Sequence, residues 1–347
     1  MSAADFRLIR PVAITDTTLT SCTVPEAIVA IYVAGTTYAA GDIRGVATGT
    51  SQIVYQSLQA ANLGHTPASS PTWWKVLGTV YAAYAGGTTY ALNDIVSDLA
   101  AHKLYKSLAG GNLGNALTDA TKWLPLGSTT RWKMFDKAVN SQTTAPDTFS
   151  TVVTLGELAN TLTLINVEAA TVTVEQSVSG YSRTKSLVKH DVLNWYDFYY
   201  EEPIRSGDVV FDDIPPYAAS TLTVTADNTG GTAAIGCCFF GKSRTIGQTQ
   251  WELTGGILSY STTSTDTLGN TTMVKRANAK HLNFDVKIPD GFESEAFRLL
   301  TLYTDVEIVV IGSTDYSMTI SYGFLDQWSV PISNSGKTAP ISFRGLI

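Results

Sequence analysis

The sequence predicts an all-β protein: two small three-stranded modules, followed by one or two antiparallel β-sandwich, jelly-roll-like domains with at most one helix. Three observations predict it. Apolar residues make up 44% of the 347 residues and charged ones only 15%, well below the roughly one quarter usual in soluble domains, while Thr, Ser, Asn and Gly abound. Short runs of β-branched residues recur at fairly regular spacing, broken by Gly, Pro and Asn. A unit of roughly 50 residues also occurs twice in succession.

The chain carries 23 Lys and Arg against 30 Asp and Glu, a net charge of −7. It therefore lacks the basic footprint of a nucleic-acid-binding protein. Weak charge and a mean hydropathy of +0.07 suit a surface partly covered by neighbours, because free monomers stay soluble through charge. An assembly component is expected.

Residues 1–30 read as an N-terminal arm. The longest apolar run near the start, Ala27 to Ala34, is far shorter than the roughly 20 residues of a membrane helix. Met1 to Arg7 has no leader-like character, so synthesis in the cytoplasm without membrane insertion is expected. The repeats follow, over residues 31–79 and 80–129. Gly35-Thr-Thr-Tyr38, Asp42-Ile43, Tyr55-Gln-Ser57-Leu58, Asn62-Leu-Gly64 and Trp74-Lys-Val-Leu77-Gly78 return as Gly87-Thr-Thr-Tyr90, Asp94-Ile95, Tyr105-Lys-Ser107-Leu108, Asn112-Leu-Gly114 and Trp123-Leu-Pro-Leu126-Gly127. Each copy predicts three short strands, at the Gly-Thr-Thr-Tyr, Asp-Ile and Tyr-x-Ser-Leu segments. A unit this small, with no disulfide, depends on aromatic burial. Tyr38, Tyr55 and Trp74, with Tyr90, Tyr105 and Trp123, are the expected module core.

A sandwich is expected over residues 130–244 and a β-rich subdomain over 245–347, with a seam near Gly241 to Gln250. Strands are predicted at Val152–Leu155, Leu162–Asn166, Thr171–Gln176, Leu222–Ala226, Ile235–Phe240, Ile257–Ser261, Phe284–Ile288, Val306–Ile311 and Met318–Tyr322, and one helix at Glu293–Tyr303. Alternation sends the side chains of adjacent Cys237 and Cys238 to opposite faces, as buried thiols.

Gly236-Cys-Cys-Phe-Phe-Gly241-Lys242-Ser243 has the spacing of a phosphate loop. Its four intervening residues read as an apolar strand, and no helix start follows. His65, His102, His190 and His281 have no metal-ligand spacing. Lys189 to Glu202 is the densest polar and aromatic segment. His190, Asp191, Asp197, Glu201 and Glu202 are its acid–base groups, but alternating aromatics before Pro203 predict an edge strand or an interface formed by Trp195, Tyr196, Tyr199 and Tyr200. No Gly-x-Ser-x-Gly elbow is present. A protein without enzymatic activity, cofactor or metal is expected.

The pattern Tyr-x-x-Gly-Asp, Tyr-x-Ser-Leu, Asn-x-Gly, Pro and Trp-x-x-Leu-Gly resembles the small chitin-binding modules appended to chitinases. Gly41-Asp42, Asn62, Gly64, Pro67 and Trp74 carry it in the first copy; the second has Asn93-Asp94 and lacks the Pro before Trp123. The resemblance implies sugar rings stacked on exposed aromatics. Trp73, Tyr32 and Tyr84 are the candidates, being unneeded for the repeated core. The alternative is that the modules are spacers or contact pads.

A second resemblance spans most of the chain. Arg10-Pro-Val-Ala-Ile-Thr15 with Val24-Pro-Glu26, Arg131-Trp-Lys-Met-Phe-Asp136, Leu268-Gly-Asn-Thr with Lys275-Arg276, Ile308-Val-Val-Ile-Gly312, Tyr322-Gly-Phe-Leu-Asp326 and the closing Phe343-Arg-Gly-Leu-Ile347 are similar, in order, to virion proteins of tailed bacteriophages. It implies a structural role at the tail tip or baseplate, with other phage tail proteins as partners and a homo-oligomer, trimer or hexamer, as the state. The runner-up is an adhesin binding host-surface glycan.

Overall fold

A computed structural model describes residues 4–188, 194–200, 205–218, 220–250, 253–332 and 338–347. The chain is all-β with few helices. Strands β1 (Asp5–Pro11) and β2 (Leu19–Cys22) lead into the modules, formed by β3 (Ile43–Thr48), β4 (Ser51–Ser57) and β5 (Trp74–Tyr81), then β6 (Ile95–Asp98), β7 (Lys103–Ser107) and β8 (Trp123–Ser128). Next come β9 (Thr143–Thr154), β10 (Thr161–Glu168), β11 (Thr171–Gln176), β12 (Ser182–Ser186), helix α1 (Trp195–Tyr200), β13 (Ser206–Phe211) and the 29-residue β14 (Thr221–Thr249). The last part holds β15 (Thr254–Ser259), β16 (Thr262–Thr265), β17 (Thr271–Val274), β18 (Asn278–Lys287), helix α2 (Glu293–Tyr303), β19 (Ile308–Ile311), β20 (Ile320–Trp328) and β21 (Thr338–Gly345).

Each module is an antiparallel three-stranded sheet, in the orders β3-β4-β5 and β6-β7-β8. The predicted strand at Gly-Thr-Thr-Tyr does not form; the third strand starts instead at the repeated Trp. Tyr38 folds its hydroxyl onto the backbone of Val33, and the Asp42 carboxylate accepts the Ala39 N–H. These local bonds hold a turn where a ladder would need extended chain, leaving only an isolated bridge between Tyr38 and Asn62.

Of the remaining strands, β16 and β17 form a two-stranded sheet of their own and the other 13 share one sheet system. In its first half, β14 lies between β11 and β9. A bulge at residues 228–231 bends it, and residues 234–241 then pair with β10, itself paired with β13. The apolar core enclosed by these strands includes Phe149, Val153, Leu162, Leu164, Val224, Phe211 and Phe240, a sandwich in which β14 passes from one sheet to the other.

Beyond Gly241 the same strand enters a second body. Residues 241–248 pair with β1, which pairs with β19; β20, β21 and β18 continue the ring, and β18 returns to Gln248 and Thr249. The ring is closed, so this body is a barrel where a second sandwich was one option. Phe6, Leu8, Ile246, Phe284, Ile308 and Phe343 fill it, and α2 adds Ala296, Leu299, Leu300 and Tyr303. The sequence-predicted span of α2 matches its structural span, because its apolar residues recur at helical spacing between a Pro-Asp-Gly turn and a run of β-branched residues.

Two predicted boundaries therefore change. The N-terminal arm supplies a barrel strand, and the junction between residues 244 and 245 falls inside β14. Closing the barrel through β1 leaves no separate arm, because Phe6 and Leu8 are fully buried among residues from the chain's other end.

Sandwich and barrel touch through a third apolar patch, in which Ile165, Val210, Cys237 and Phe239 meet Ile9, Val309, Ile311 and Tyr322. The Phe239 and Tyr322 ring centroids are 4.3 Å apart. Cys237 faces this seam while Cys238 faces the sandwich core, and burial raises both thiols, Cys237 to about 12. Ion pairs Arg7–Asp212, Lys280–Asp208 and Lys137–Glu307 cross the same seam.

Phe6 packs edge-on against Phe284 with ring centroids 4.9 Å apart. Phe6→Ala should destabilise the barrel by about 3–5 kcal/mol, read as a lower urea midpoint; an unchanged midpoint would mean the arm is no part of that core. Glu307 Oε2 accepts from Lys137 Nζ at 2.6 Å and from the Tyr322 hydroxyl at 2.7 Å, and these bonds hold the Glu307 carboxyl below its ordinary value of 4.5. The folded-state value is the lower one, so this contribution is complete above 4.5 and disappears as pH falls through the folded value. The stability gap between wild type and Glu307→Gln should accordingly close on acidification, and a gap that widened there would reverse the assignment.

Candidate functional site

The modules hang from a clasp. Arg131 Nε donates to the Val24 carbonyl at 2.7 Å and Trp132 Nε1 to Glu26 Oε2 at 3.1 Å. Glu26 Oε1 also accepts Thr129 Oγ1 at 2.8 Å, and His102 Nδ1 of the second module lies 2.9 Å away. His102 stacks on Trp132 at 3.9 Å, and its Nε2 faces Asp16 at 3.2 Å. The Val-Pro-Glu and Arg-Trp motifs that flank the repeats in sequence are thus in contact. Val24 and Met134 then enter the sandwich core. Both modules are an insertion whose two ends are tied together at its base.

Inside each module the repeat is visible bond by bond. Tyr32 and Tyr38 meet Trp74 with centroids 5.7 and 5.3 Å apart, and Tyr84 and Tyr90 meet Trp123 at 5.7 and 5.3 Å. Tyr55 is buried with the first cluster, and Tyr105 is partly buried against the second. Asn62 and Asn112 are buried and donate to Ser57 Oγ and Ser107 Oγ. Trp74 Nε1 donates to the His65 carbonyl and Trp123 Nε1 to that of Asn115.

Tyr32 and Tyr84 therefore occupy equivalent places inside the aromatic clusters. The sequence sets these two apart from the repeated core; in the structure both are partly buried against it. The reason is that each packs edge-on against the buried Trp, a contact that strand alternation does not reveal. Trp73 is likewise half-buried against the first cluster, and it has the His65 ring stacked on it at 3.9 Å and 12°. Its counterpart by backbone bonding is Lys122, since Leu58 and Leu108 donate to the carbonyls of Trp73 and Lys122. Leu58 and Leu63, and their counterparts Leu108 and Leu113, stand exposed in both copies.

The other aromatic group lies on α1. Where an edge strand was predicted, Trp195 to Tyr200 form a helix. Asn194 Oδ1 accepts the Tyr196 N–H at 2.8 Å, a capping bond, and aromatic pairs one turn apart stack, Tyr196 on Tyr200 at 4.9 Å and Trp195 on Tyr199 at 6.4 Å. Two α-helices are thus present among the described residues, one more than predicted. Trp195, Tyr196, Phe198, Tyr199 and Tyr200 are 55–79% exposed. His190, Asp191, Glu201 and Glu202 lie outside the described residues, as does the Asp197 side chain.

The phosphate-loop spacing sits on β14, and its glycines answer to close packing. A Cβ on Gly236 would lie 2.9 Å from the carbonyl oxygens of Ile165 and Val139, and one on Gly241 would lie 2.6 Å from that of Arg10. Among the described residues, no group of three or more His, Cys, Asp or Glu is placed to share a metal ion, and no helix is long and apolar enough to cross a membrane.

One position separates the two modules chemically. In the second, the Asn115 amide donates to Asn112 Oδ1 at 2.8 Å and its carbonyl accepts the Tyr84 hydroxyl at 2.8 Å. In the first, His65 takes that place with its ring on Trp73, and both Asn62 Oδ1 and the Tyr32 hydroxyl are buried with no hydrogen-bond partner among the described residues. His65→Asn restores a donor for Asn62 at the cost of one ring stack. A net gain of about 1 kcal/mol is expected, with Trp73 more accessible to acrylamide quenching. A lower melting temperature would show that the ring stack outweighs the bond. Comparison of the chain with protein-family models, curated proteins and solved structures finds no match.

Proposed function

We propose that this chain is a non-enzymatic structural protein of a tailed-bacteriophage virion, at the tail tip or baseplate, made in the host cytoplasm. It assembles with other tail proteins and with copies of itself, as a trimer or hexamer, through its sandwich and barrel, and it presents the modules outward. The observation that carries this reading is the clasp: two tandem modules are inserted into one loop of a β scaffold and anchored at a single base. The ordered series of motifs similar to phage virion proteins supports it, as does a scaffold whose bodies share a strand and so hold surfaces in fixed relation. Mass spectrometry of purified particles, followed by imaging, should find the chain in the tail. Absence from intact virions would sink the proposal.

A second reading, a host-surface glycan adhesin, is favoured by one feature, the half-buried Trp73 with His65 stacked on it, a pair that the second module lacks. The structural reading expects no saturable change in tryptophan fluorescence with chitin oligosaccharides. Saturable quenching abolished by Trp73→Ala would favour the adhesin instead.

A further inference from the structure

Residues 254–278 leave the barrel as a two-stranded ribbon. Its ascending strand is β15 and β16, and its descending strand is β17 and the start of β18. Apart from Ser261, which is half-buried, every residue from 254 to 278 is exposed, including Ile257 at 73%, Leu268 at 86% and Met273 at 63%. An isolated two-stranded ribbon is marginal in water, and this one has no cover on either face.

The ribbon is nonetheless a built element. At its tip the Asp266 carboxylate accepts the N–H groups of Leu268 and Asn270 and the Asn270 side-chain amide, at 2.8–3.0 Å. Gly269 takes the positive φ of 87° that the turn needs. Along the shaft, Thr265 and Thr271 share a hydrogen bond, and the Arg276 N–H donates to Ser261 Oγ. At the base, a Cβ on Gly255 would lie 3.1 Å from Met318 and 3.2 Å from Leu282, so the ribbon is seated closely on the barrel.

Its two edges differ. The descending strand carries Lys275 and Arg276, the kind of charge that keeps an edge from pairing. The ascending strand, Leu253 to Thr265, is Leu-Thr-Gly-Gly-Ile-Leu-Ser-Tyr-Ser-Thr-Thr-Ser-Thr, with no charge and no proline. Among the described residues, β15 pairs only with β18 and β16 only with β17. The outer edge of the ascending strand is therefore unpaired and unprotected. A charged partner strand would find no complement there, whereas a copy of the same strand meets no like charge, and β-branched and Thr side chains suit cross-strand pairing.

We infer that the ascending strand of the ribbon pairs edge to edge, antiparallel, with the same strand of a second copy of this chain. Two ribbons then make one four-stranded sheet, and a two-fold axis crosses the new seam. This rests on the self-association in the proposed function, of whose two states it fits the hexamer, where two-fold axes can occur, and not the trimer; it is independent of where in a virion the chain sits.

The test is sedimentation velocity on the full chain across a range of concentrations, with hydrogen exchange as a second readout. Wild type should sediment above the 37.2 kDa monomer, with slow exchange across residues 254–265. Ser259→Lys with Thr263→Lys changes two exposed side chains on the uncharged strand. It should weaken association at least roughly tenfold and speed that exchange, with an unchanged circular dichroism spectrum. Met273→Lys, on the descending strand, should leave association as it was. An oligomer that ignores the two lysines, or one that Met273→Lys weakens equally, overturns the edge pairing while self-association stands. A wild type that stays monomeric at every concentration overturns both.

Discussion

The larger body depends on one strand belonging to two cores. Strands usually run about 5–6 residues, whereas β14 runs 29 and carries ladder bonds along nearly all of its length. Its first part seals the sandwich, its middle backs onto the seam, and its end closes the barrel. Separating the bodies would mean breaking a continuous ladder as well as opening the apolar patch around Phe239 and Tyr322. The ion pairs across the seam are secondary by comparison, because Arg7 and Lys280 keep 22% and 37% of their side-chain surface in water, and such pairs are worth little each. What fixes the geometry is backbone continuity, with apolar burial as its complement.

Much of this was legible locally. The duplication, the span of α2 and the opposed faces of Cys237 and Cys238 follow from periodicity, and periodicity is a property of neighbours in sequence. Pairing partners are not. Nothing in Asp5 to Pro11 announces that its other-edge partner is Ile308 to Ile311, so an arm was expected where a barrel strand stands. The same limit explains the boundary placed near Arg244: Gly241 and the polar residues after it suggest a loop, yet the glycine serves a close approach to the Arg10 carbonyl inside a strand. On α1, alternating aromatics imitated a strand, and the deciding signal was the Asn194 cap together with aromatic pairs at helical spacing. Within the modules, Tyr38, Tyr55, Trp74, Tyr90 and Trp123 are buried as the repeat predicts, whereas Tyr105 is only partly buried, as are Tyr32 and Tyr84, which lie outside the repeated motifs.

The modules show how a unit with little aliphatic core is held together. Each relies on a Trp, edge-on tyrosines and a buried Asn–Ser pair, so aromatic area and satisfied polar groups replace the volume a larger domain would bury. Tyr32, Tyr84 and Trp73 are all partly buried against these clusters, and what sets Trp73 apart is the His65 ring stacked on it.

Comparing the copies carries the reasoning one step further. Duplicated units drift apart wherever drift is harmless, and here the drift is visible: Arg44 against Val96, Trp73 against Lys122, His65 against Asn115. Leu58 and Leu63 are retained as Leu108 and Leu113, and all four are 41–53% exposed. A solvent-facing leucine kept twice contributes little to the fold that displays it, because exposed apolar surface gains nothing by staying in water. Retention in both copies is what repeated contact with the same kind of surface would produce. Under the assembly role proposed above, the leucine-bearing edges, rather than the aromatic clusters, would be the faces each module turns toward its neighbours.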